Sequence, residues 1–258
     1  MTFLFDQIIF GPVNSRRLGS SLGINLLPSC RKVCTFNCIY CECGWTGSRN
    51  FVKSDFPSRI EVRKALEIRL NDLLRYGMLP DAITFAGNGE PTLHPDFEVI
   101  VEDSIDLRNS ISPKSKIVVL SNGSLSGRDY VRRALLKVDQ NILKLDTGFE
   151  DTFRALNQPP ENIKLKDIIH NLKNFKGKLI IQSLFIRGEY HGRKIDNTTN
   201  REINELLKLY QEILPEQVMV YTIARGTPIV GLERISYYEL KTIADRIEEL
   251  DVKTQISS

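Results

Sequence analysis

Apolar and polar positions along this chain follow two alternating periods. Runs rich in β-branched and other apolar residues occur at 23–27, 83–85, 117–120, 142–145, 179–186 and 218–223. Their near-continuous apolar character predicts strands covered on both faces, as in a parallel sheet. Between and after them the period changes to that of a helix. Leu165, Ile168, Ile169, Leu172 and Phe175 share one face, and Ile203, Leu206, Leu207, Tyr210 and Leu214 share another. Thr199 with Glu202, and Ser236 with Glu239, have capping-box spacing; the second pair opens a helix carrying Leu240, Ile243, Ala244 and Ile247. Strand and helix units in this order predict an α/β fold, a partial (β/α)6 barrel of the TIM-barrel-like type, whose functional loops leave the C-terminal strand ends. No repeat or linker divides the chain, so one domain spanning 1–258 is expected, with 1–22 as an N-terminal extension.

Composition narrows the possibilities. With 258 residues, 41% of them hydrophobic, the chain can bury one sizeable core. A net charge of +3 is too small for a dedicated nucleic-acid binder and leaves room for a phosphate-bearing substrate. The first residues lack a basic n-region, and no apolar run approaches the ~18 residues of a membrane span, so a cytoplasmic protein without a membrane partner is expected. All five cysteines lie between residues 30 and 43. An odd number packed so closely argues for metal ligation over a disulfide framework.

Cys34, Cys38 and Cys41 are spaced Cys-x-x-x-Cys-x-x-Cys, with Tyr40 before the last. Three thiolates would leave one iron of a cubane open, where a ligand can be activated, whereas a structural zinc site takes four. Cys30 or Cys43 could supply that fourth ligand. Cys43 is also compatible with an outer-shell thiol, a ligand of another cluster, or a packing residue. One strand–helix unit later comes Gly87-Asn88-Gly89-Glu90-Pro91. Its glycines would let backbone carbonyls approach a ligand, and its carboxylate suits an ammonium group, although a plain turn uses the same residues. Gln182 and Ser183 are adjacent polar residues in an apolar strand, so one of them faces the barrel interior, and Gln182 is the candidate. Arg16, Arg17, Arg31, Lys32, Arg187, Arg193, Lys194 and Arg225 could hold phosphates if they converge, or form a solvated surface if they do not. His94 is expected to brace its turn, and His191 is a loose candidate for contact with substrate.

The cysteine spacing and the Gly-x-Gly-Glu-Pro turn together resemble the radical S-adenosylmethionine (radical SAM) superfamily. Phe10-Gly11-Pro12-Val13-Asn14-Ser15-Arg16-Arg17-Leu18-Gly19, Ser21-Leu22-Gly23-Ile24-Asn25, Leu145-Asp146-Thr147-Gly148 and Leu156-Asn157-Gln158-Pro159 further resemble a group of iron-sulfur oxidoreductases related to the wyosine-forming tRNA enzymes. The resemblance implies a 4Fe-4S cluster held by Cys34, Cys38 and Cys41 in a cluster loop over 30–44. It also implies S-adenosylmethionine contacts from Tyr40, Gly87, Asn88, Gly89, Glu90, Ser121, Asn122 and Asp146; Gln182 is placed with them, and Arg16 and Arg17 with the substrate. Asn88 stands where the more widespread motif has its first glycine. Implied partners are a low-potential electron donor, flavodoxin or ferredoxin, and a substrate that is tRNA or a protein. No cysteine precedes Cys30 to supply the second cluster of the 4-demethylwyosine synthases, so their reaction is not carried over. A glycyl-radical-enzyme activase and a zinc-stabilised binding module are the competing readings.

Overall fold

A computed structural model describes residues 2–47 and 55–258. The strands are β1 (Ile9–Ser15), β2 (Gly19–Ile24), β3 (Ala82–Phe85), β4 (Lys116–Ser121), β5 (Gln140–Lys144), β6 (Ile180–Leu184), β7 (Ile186–Tyr190), β8 (Arg193–Asp196), β9 (Gln217–Tyr221), β10 (Glu233–Arg234) and β11 (Lys253–Ser257). The helices are α1 (Arg59–Arg75), α2 (Phe97–Ile111), α3 (Asp129–Leu135), α4 (Glu150–Asn157), α5 (Leu165–Lys173), α6 (Asn200–Ile213) and α7 (Tyr237–Glu248). All six apolar runs lie in or overlap parallel strands of one curled sheet of order β1-β2-β3-β4-β5-β6-β9-β11, a partial barrel.

The sheet extends past those six strands at both edges. β11 adds a parallel strand beside β9, and β1 pairs antiparallel with β2. The expected N-terminal extension therefore contributes β1 and the start of β2 to the sheet. The periodic signal missed β1 because the strand is only half covered and carries Gly11 and Pro12. Its turn into β2 reaches the opposite edge: Gln255 Nε2 donates to the Arg17 carbonyl at 3.2 Å, and Arg16 donates to the Ser258 backbone oxygen at 2.7 Å. Leu18 from this turn packs on Ala82, Val118, Ile142, Ile180 and Met219, which fill the floor of the barrel. Two residues further along their strands, Leu120, Lys144, Gln182 and Tyr221 fall on the same inner face by the period of two.

The run 179–186 does not form one strand. β6 ends at Leu184, and after Phe185 the chain crosses into a three-stranded antiparallel sheet, β10-β7-β8. Phe185 and Ile186 are fully buried, so the apolar run gives no sign of the change. Thr199 caps α6, but Glu202 does not complete the box; its carboxylate accepts from Thr147 and Thr152 at 2.5 and 2.6 Å. Ser236 and Glu239 form the full capping box of α7. Leu214 leaves the expected stripe because it ends α6 in the left-handed region at φ 54° and lies exposed.

α1 and α2 are tied together by a buried carboxylate. Asp103 accepts from Arg59 Nε at 2.6 Å, Arg59 Nη2 at 2.9 Å and Arg63 Nη1 at 3.0 Å. The Arg59 hydrogen bond, aided by the charges of both arginines, holds the carboxyl below its usual range. A lowered acid stabilises the fold above its unfolded pKa and loses that contribution as pH falls through the folded value. Asp103→Asn is therefore expected to cost about 1–2 kcal/mol at pH 7 in urea denaturation, with the gap to the parent narrowing below about pH 4.

Candidate functional site

The loop leaving β2 is fixed before it reaches its cysteines. The Asn25 side chain caps Leu27 N–H and the Leu27 carbonyl, and the Val33 N–H donates to the Asn88 carbonyl at 2.9 Å. Glu90 N–H donates to the Val33 carbonyl at 3.0 Å, so the glycine turn and the cysteine loop zip together. A Cβ on Gly89 would sit 2.0 Å from the Val33 oxygen, and one on Gly87 2.5 Å from Asn25 Oδ1. These contacts, with φ of +138° and +128°, are the physical demand for glycine at both positions. On the other side, Asn37 and Ile39 N–H groups donate to the Asn157 and Leu156 carbonyls at the end of α4.

Held this way, Cys34, Cys38 and Cys41 line one cavity of about 160 Å³ at the C-terminal mouth of the barrel. Cys43, Tyr40, Gly87, Gly89, Glu90, Ser121, Asn122 and Gln182 line it too, joined by Lys32, Phe36, Leu120 and Lys144. Each ligand-spaced sulfur has donors near it. Phe36 N–H lies 3.4 Å and Asn122 Nδ2 3.5 Å from Cys34 Sγ, and Asn157 Nδ2 lies 3.5 Å from Cys38 Sγ. Burial pushes Cys34 up to about 12 and raises Cys38, while the hydrogen bond from Cys43, with Lys32 behind it, lowers Cys41.

Two further sequence-derived candidates occupy the walls in other ways. The Asn88 side chain is fully buried and faces away from the cavity, clamping Phe5 N–H, the Phe5 carbonyl and the Pro28 carbonyl at 2.8 to 2.9 Å. Asp146 sits beneath the cysteine loop. It accepts from the Tyr40 hydroxyl, from Asn157 Nδ2 at 2.9 Å and from Leu184 N–H at 2.9 Å, with Lys144 Nζ 3.6 Å away. Glu90 joins the ends of β3 and β4, accepting from the Thr92 N–H and hydroxyl, the Ser121 hydroxyl and Asn122 N–H at 2.6 to 3.1 Å. Burial raises its pKa despite those four donors.

Two lysines matter more than their loop and strand-end settings suggested. Lys32 is 4% exposed, donates to the Gly44 carbonyl at 2.9 Å, and has no carboxylate partner among the described residues. Burial alone would lower its pKa, but the field of the three thiols outweighs it and the group is raised. Lys144 donates to the Tyr221 hydroxyl at 2.8 Å and is raised as well: burial is the largest influence and lowers it, but Asp146, Tyr221 and Cys38 together outweigh that. Strand parity with Ile142 was the available signal for Lys144. Nothing in the sequence distinguished Lys32 from a surface base.

The basic residues divide into two sets. Arg31 pairs with Asp55, Arg187 with Glu239 and Arg193 with Asp151, while Lys194 is exposed. Arg16, Arg17, Arg225 and Arg234 do converge. Burial and then the charges of the other three lower Arg16, and Arg225 pairs with Glu42 at 2.9 Å. Arg17 lies over the Tyr221 ring at 4.7 Å with its Nη1 buried and without a hydrogen-bond partner among the described residues. Beside the same loop, Trp45 stacks on Tyr190 at 6.0 Å and is 39% exposed. His191 packs on Tyr190 at the hairpin tip, and His94 braces its turn, accepting from Asp96 N–H and facing the Pro57 carbonyl at 2.8 Å.

Comparison with solved structures fits this geometry. The chain superposes on a radical SAM methyltransferase from Sphaerobacter thermophilus with a TM-score of 0.67 and 14% identity, covering 92% of this chain and 65% of that one. It superposes on TYW1 with a lysine-pyruvate adduct bound, with a TM-score of 0.63 and 18% identity over 89% and 73% of the two chains. The chain has the partial-barrel fold of the radical SAM superfamily, the class its cysteine spacing resembled. In sequence it is a relative of the UPF0026 proteins: it is 35% identical to one from Methanocaldococcus jannaschii over 183 residues, 69% of this chain and 54% of that protein. It is also 31% identical over 223 residues to a protein named GTPase Obg from Brachyspira hyodysenteriae, covering 85% of this chain and 30% of that protein. The chain thus spans about half or less of these two relatives, and it carries no Gly-x-x-x-x-Gly-Lys-Ser/Thr phosphate loop. No family model matches it.

Proposed function

We propose that this protein is a radical SAM enzyme in which Cys34, Cys38 and Cys41 hold a 4Fe-4S cluster and the rest of the cavity receives S-adenosylmethionine. The observation that carries the reading is the composition of one cavity: three ligand-spaced thiols, and, among the described residues, a buried ammonium without a carboxylate partner and a buried Gln182 Nε2 without a hydrogen-bond partner. A buried lone cation favours negative charge at its neighbours, which three metal-bound thiolates provide. An orphaned buried donor favours an acceptor that the protein itself does not supply.

Bound there, the cluster and S-adenosylmethionine would supply reductive cleavage of the sulfonium and hydrogen abstraction from a substrate. The chain's own residues do the holding. Lys32 offsets the charge of the thiolates, and Gln182 and Lys144 present donors from the inner barrel face. Glu90 locks the loops after β3 and β4 to each other, while Phe36 and Leu120 keep that wall apolar. A low-potential donor of the flavodoxin or ferredoxin type would deliver the electron.

For the substrate, the arginine group Arg16, Arg17, Arg225 and Arg234, together with the exposed Trp45–Tyr190 stack, supports an RNA such as tRNA. Phosphates seek guanidinium groups, and unpaired bases stack on aromatic faces. The test is anaerobic reconstitution with iron and sulfide, followed by S-adenosylmethionine, a reductant and deuterated tRNA. The expected result is 5'-deoxyadenosine carrying deuterium. Unlabelled 5'-deoxyadenosine would overturn the RNA substrate alone, and protein that takes up zinc but forms no iron-sulfur chromophore would overturn the enzyme reading.

A further inference from the structure

Among the described residues, buried side-chain atoms without a hydrogen-bond partner belong to Arg17, Asn141, Gln182, Arg187 and Ser257. Three of these five border one ring on the inner face of the barrel, that of Tyr221. Arg17 places its guanidinium 4.7 Å from the ring centroid, with Nη1 as the first orphan. Ser257 is the register partner of Tyr221 on β11, so its side chain shares the Tyr221 face, and its Oγ is the second. Gln182 is the register partner of Met219, one inner-face position before Tyr221, and its Nε2 is the third. The 2.8 Å bond from Lys144 Nζ to the Tyr221 hydroxyl links β5 to β9 across the strand that carries Gln182, so a second cation borders the same ring.

These groups share one chemical character. A guanidinium and an amide N–H only donate, and a hydroxyl can donate. Arg16, Arg225 and Arg234 are exposed, whereas Arg17 is partly buried and makes no ion pair among the described residues. The Asp146 carboxylate, 3.6 Å from Lys144, is already engaged by Tyr40, Asn157 and Leu184.

We propose that Arg17, Gln182 and Ser257 form a subsite for an oxyanion carried by the substrate, a carboxylate or a phosphate, seated on the seam side of Tyr221 with the reacting end of the molecule in the cysteine cavity. Calling the ligand a substrate rests on the enzyme reading above; the binding of an anion does not. Gln182 marks the border, because it lines the cavity, whereas Arg17 and Ser257 lie outside the lining and extend the row of donors toward β11. A partly buried cation without a counter-ion and two orphaned polar groups are each unfavourable until a ligand satisfies them, and the lone pairs of one oxyanion can serve all three. A neutral carbonyl would leave the guanidinium charge uncompensated.

The experiment takes the full chain through anaerobic reconstitution with iron and sulfide, then measures equilibrium dialysis of labelled inorganic phosphate and acetate, and the urea midpoint with and without each anion. The parent is expected to bind at least one of them saturably and to unfold at higher urea in its presence. Phosphate alone would identify a phosphate ester, and acetate alone a carboxylate. Arg17→Met should weaken binding at least about tenfold, and Gln182→Leu and Ser257→Ala by roughly three- to tenfold each, while Lys194→Met, a change of charge at an exposed residue, should match the parent. Without anion, the three site variants should unfold at or above the parental midpoint, because each removes an unsatisfied buried group; residues that merely hold the fold would lower it. No saturable binding of either anion, or an equal loss in Lys194→Met and Arg17→Met, would overturn the inference. So would site variants with a lowered anion-free midpoint and parental affinity. If Arg17→Met does not fold, Gln182→Leu and Ser257→Ala decide the question. A chain that holds the anion through Arg17 but assembles no iron-sulfur cluster fails the enzyme reading and leaves the anion site standing.

Discussion

Replacing Cys34, Cys38 or Cys41 singly with alanine is expected to reduce 5'-deoxyadenosine formation by more than about a thousandfold, beyond the roughly 10–100-fold that loss of an outer-shell partner costs a metal site. Each thiol comes from a different turn of one loop, and each is held by contacts to a separate element. Asn122 after β4 reaches Cys34, Asn157 at the end of α4 reaches Cys38, and Lys32 holds the Gly44 carbonyl in the turn that closes on the Cys41 carbonyl. No neighbouring sulfur is set to substitute for a missing one without remodelling the loop. Cys30 is exposed and does not line the cavity, and the Cys43 thiol donates to the Gly87 carbonyl at 3.3 Å. Cys30→Ala is therefore expected to match the parent. Product chromatography after anaerobic reconstitution reads both results. Near-parental turnover from any of the three alanine variants would remove that cysteine from the ligand set.

Asp146→Ala should produce the largest loss of stability of any single substitution in the barrel mouth, about 3–5 kcal/mol in urea denaturation. Its side chain is wholly buried and has four partners, one of them the ammonium of Lys144. Removing it strands a buried cation and releases the Tyr40 hydroxyl, one of the pins that fix the cysteine loop to the barrel. Adding Lys144→Met to Asp146→Ala should recover part of the loss, because the uncompensated charge is then gone. A loss below about 1 kcal/mol, or no recovery in the double variant, would mean that the charge pair does not hold this region. Asp146 thus supports the cysteine loop through Tyr40 and Asn157.

These roles show where legibility ended. The three cysteines could be singled out because their spacing is local: all three come from one loop, so neighbours in sequence are neighbours in space. The glycine turn was legible for a similar reason, though its physical cause was not. Gly87 and Gly89 are needed for close packing against Asn25 and Val33, contacts that span more than fifty residues of chain. Asn88 looked like part of a ligand turn, and only its long-range hydrogen bonds to Phe5 and Pro28 reveal a side chain clamping the N-terminal segment.

By itself, the sequence determined that six buried apolar runs alternate with amphipathic helices, and that one loop carries ligand-spaced thiols; both follow from local periodicity and spacing. The tertiary structure decided what those local patterns could not encode. It showed that β1 and β11 widen the sheet and that β7 leaves it after Phe185. It also showed that Arg16 and Arg17 meet Arg225 and Arg234 across the barrel seam, and that Lys32 is buried against sulfur. Such facts depend on which distant groups share a low-dielectric space, and charge, burial and hydrogen-bond demand acquire their values only once the chain has closed around them.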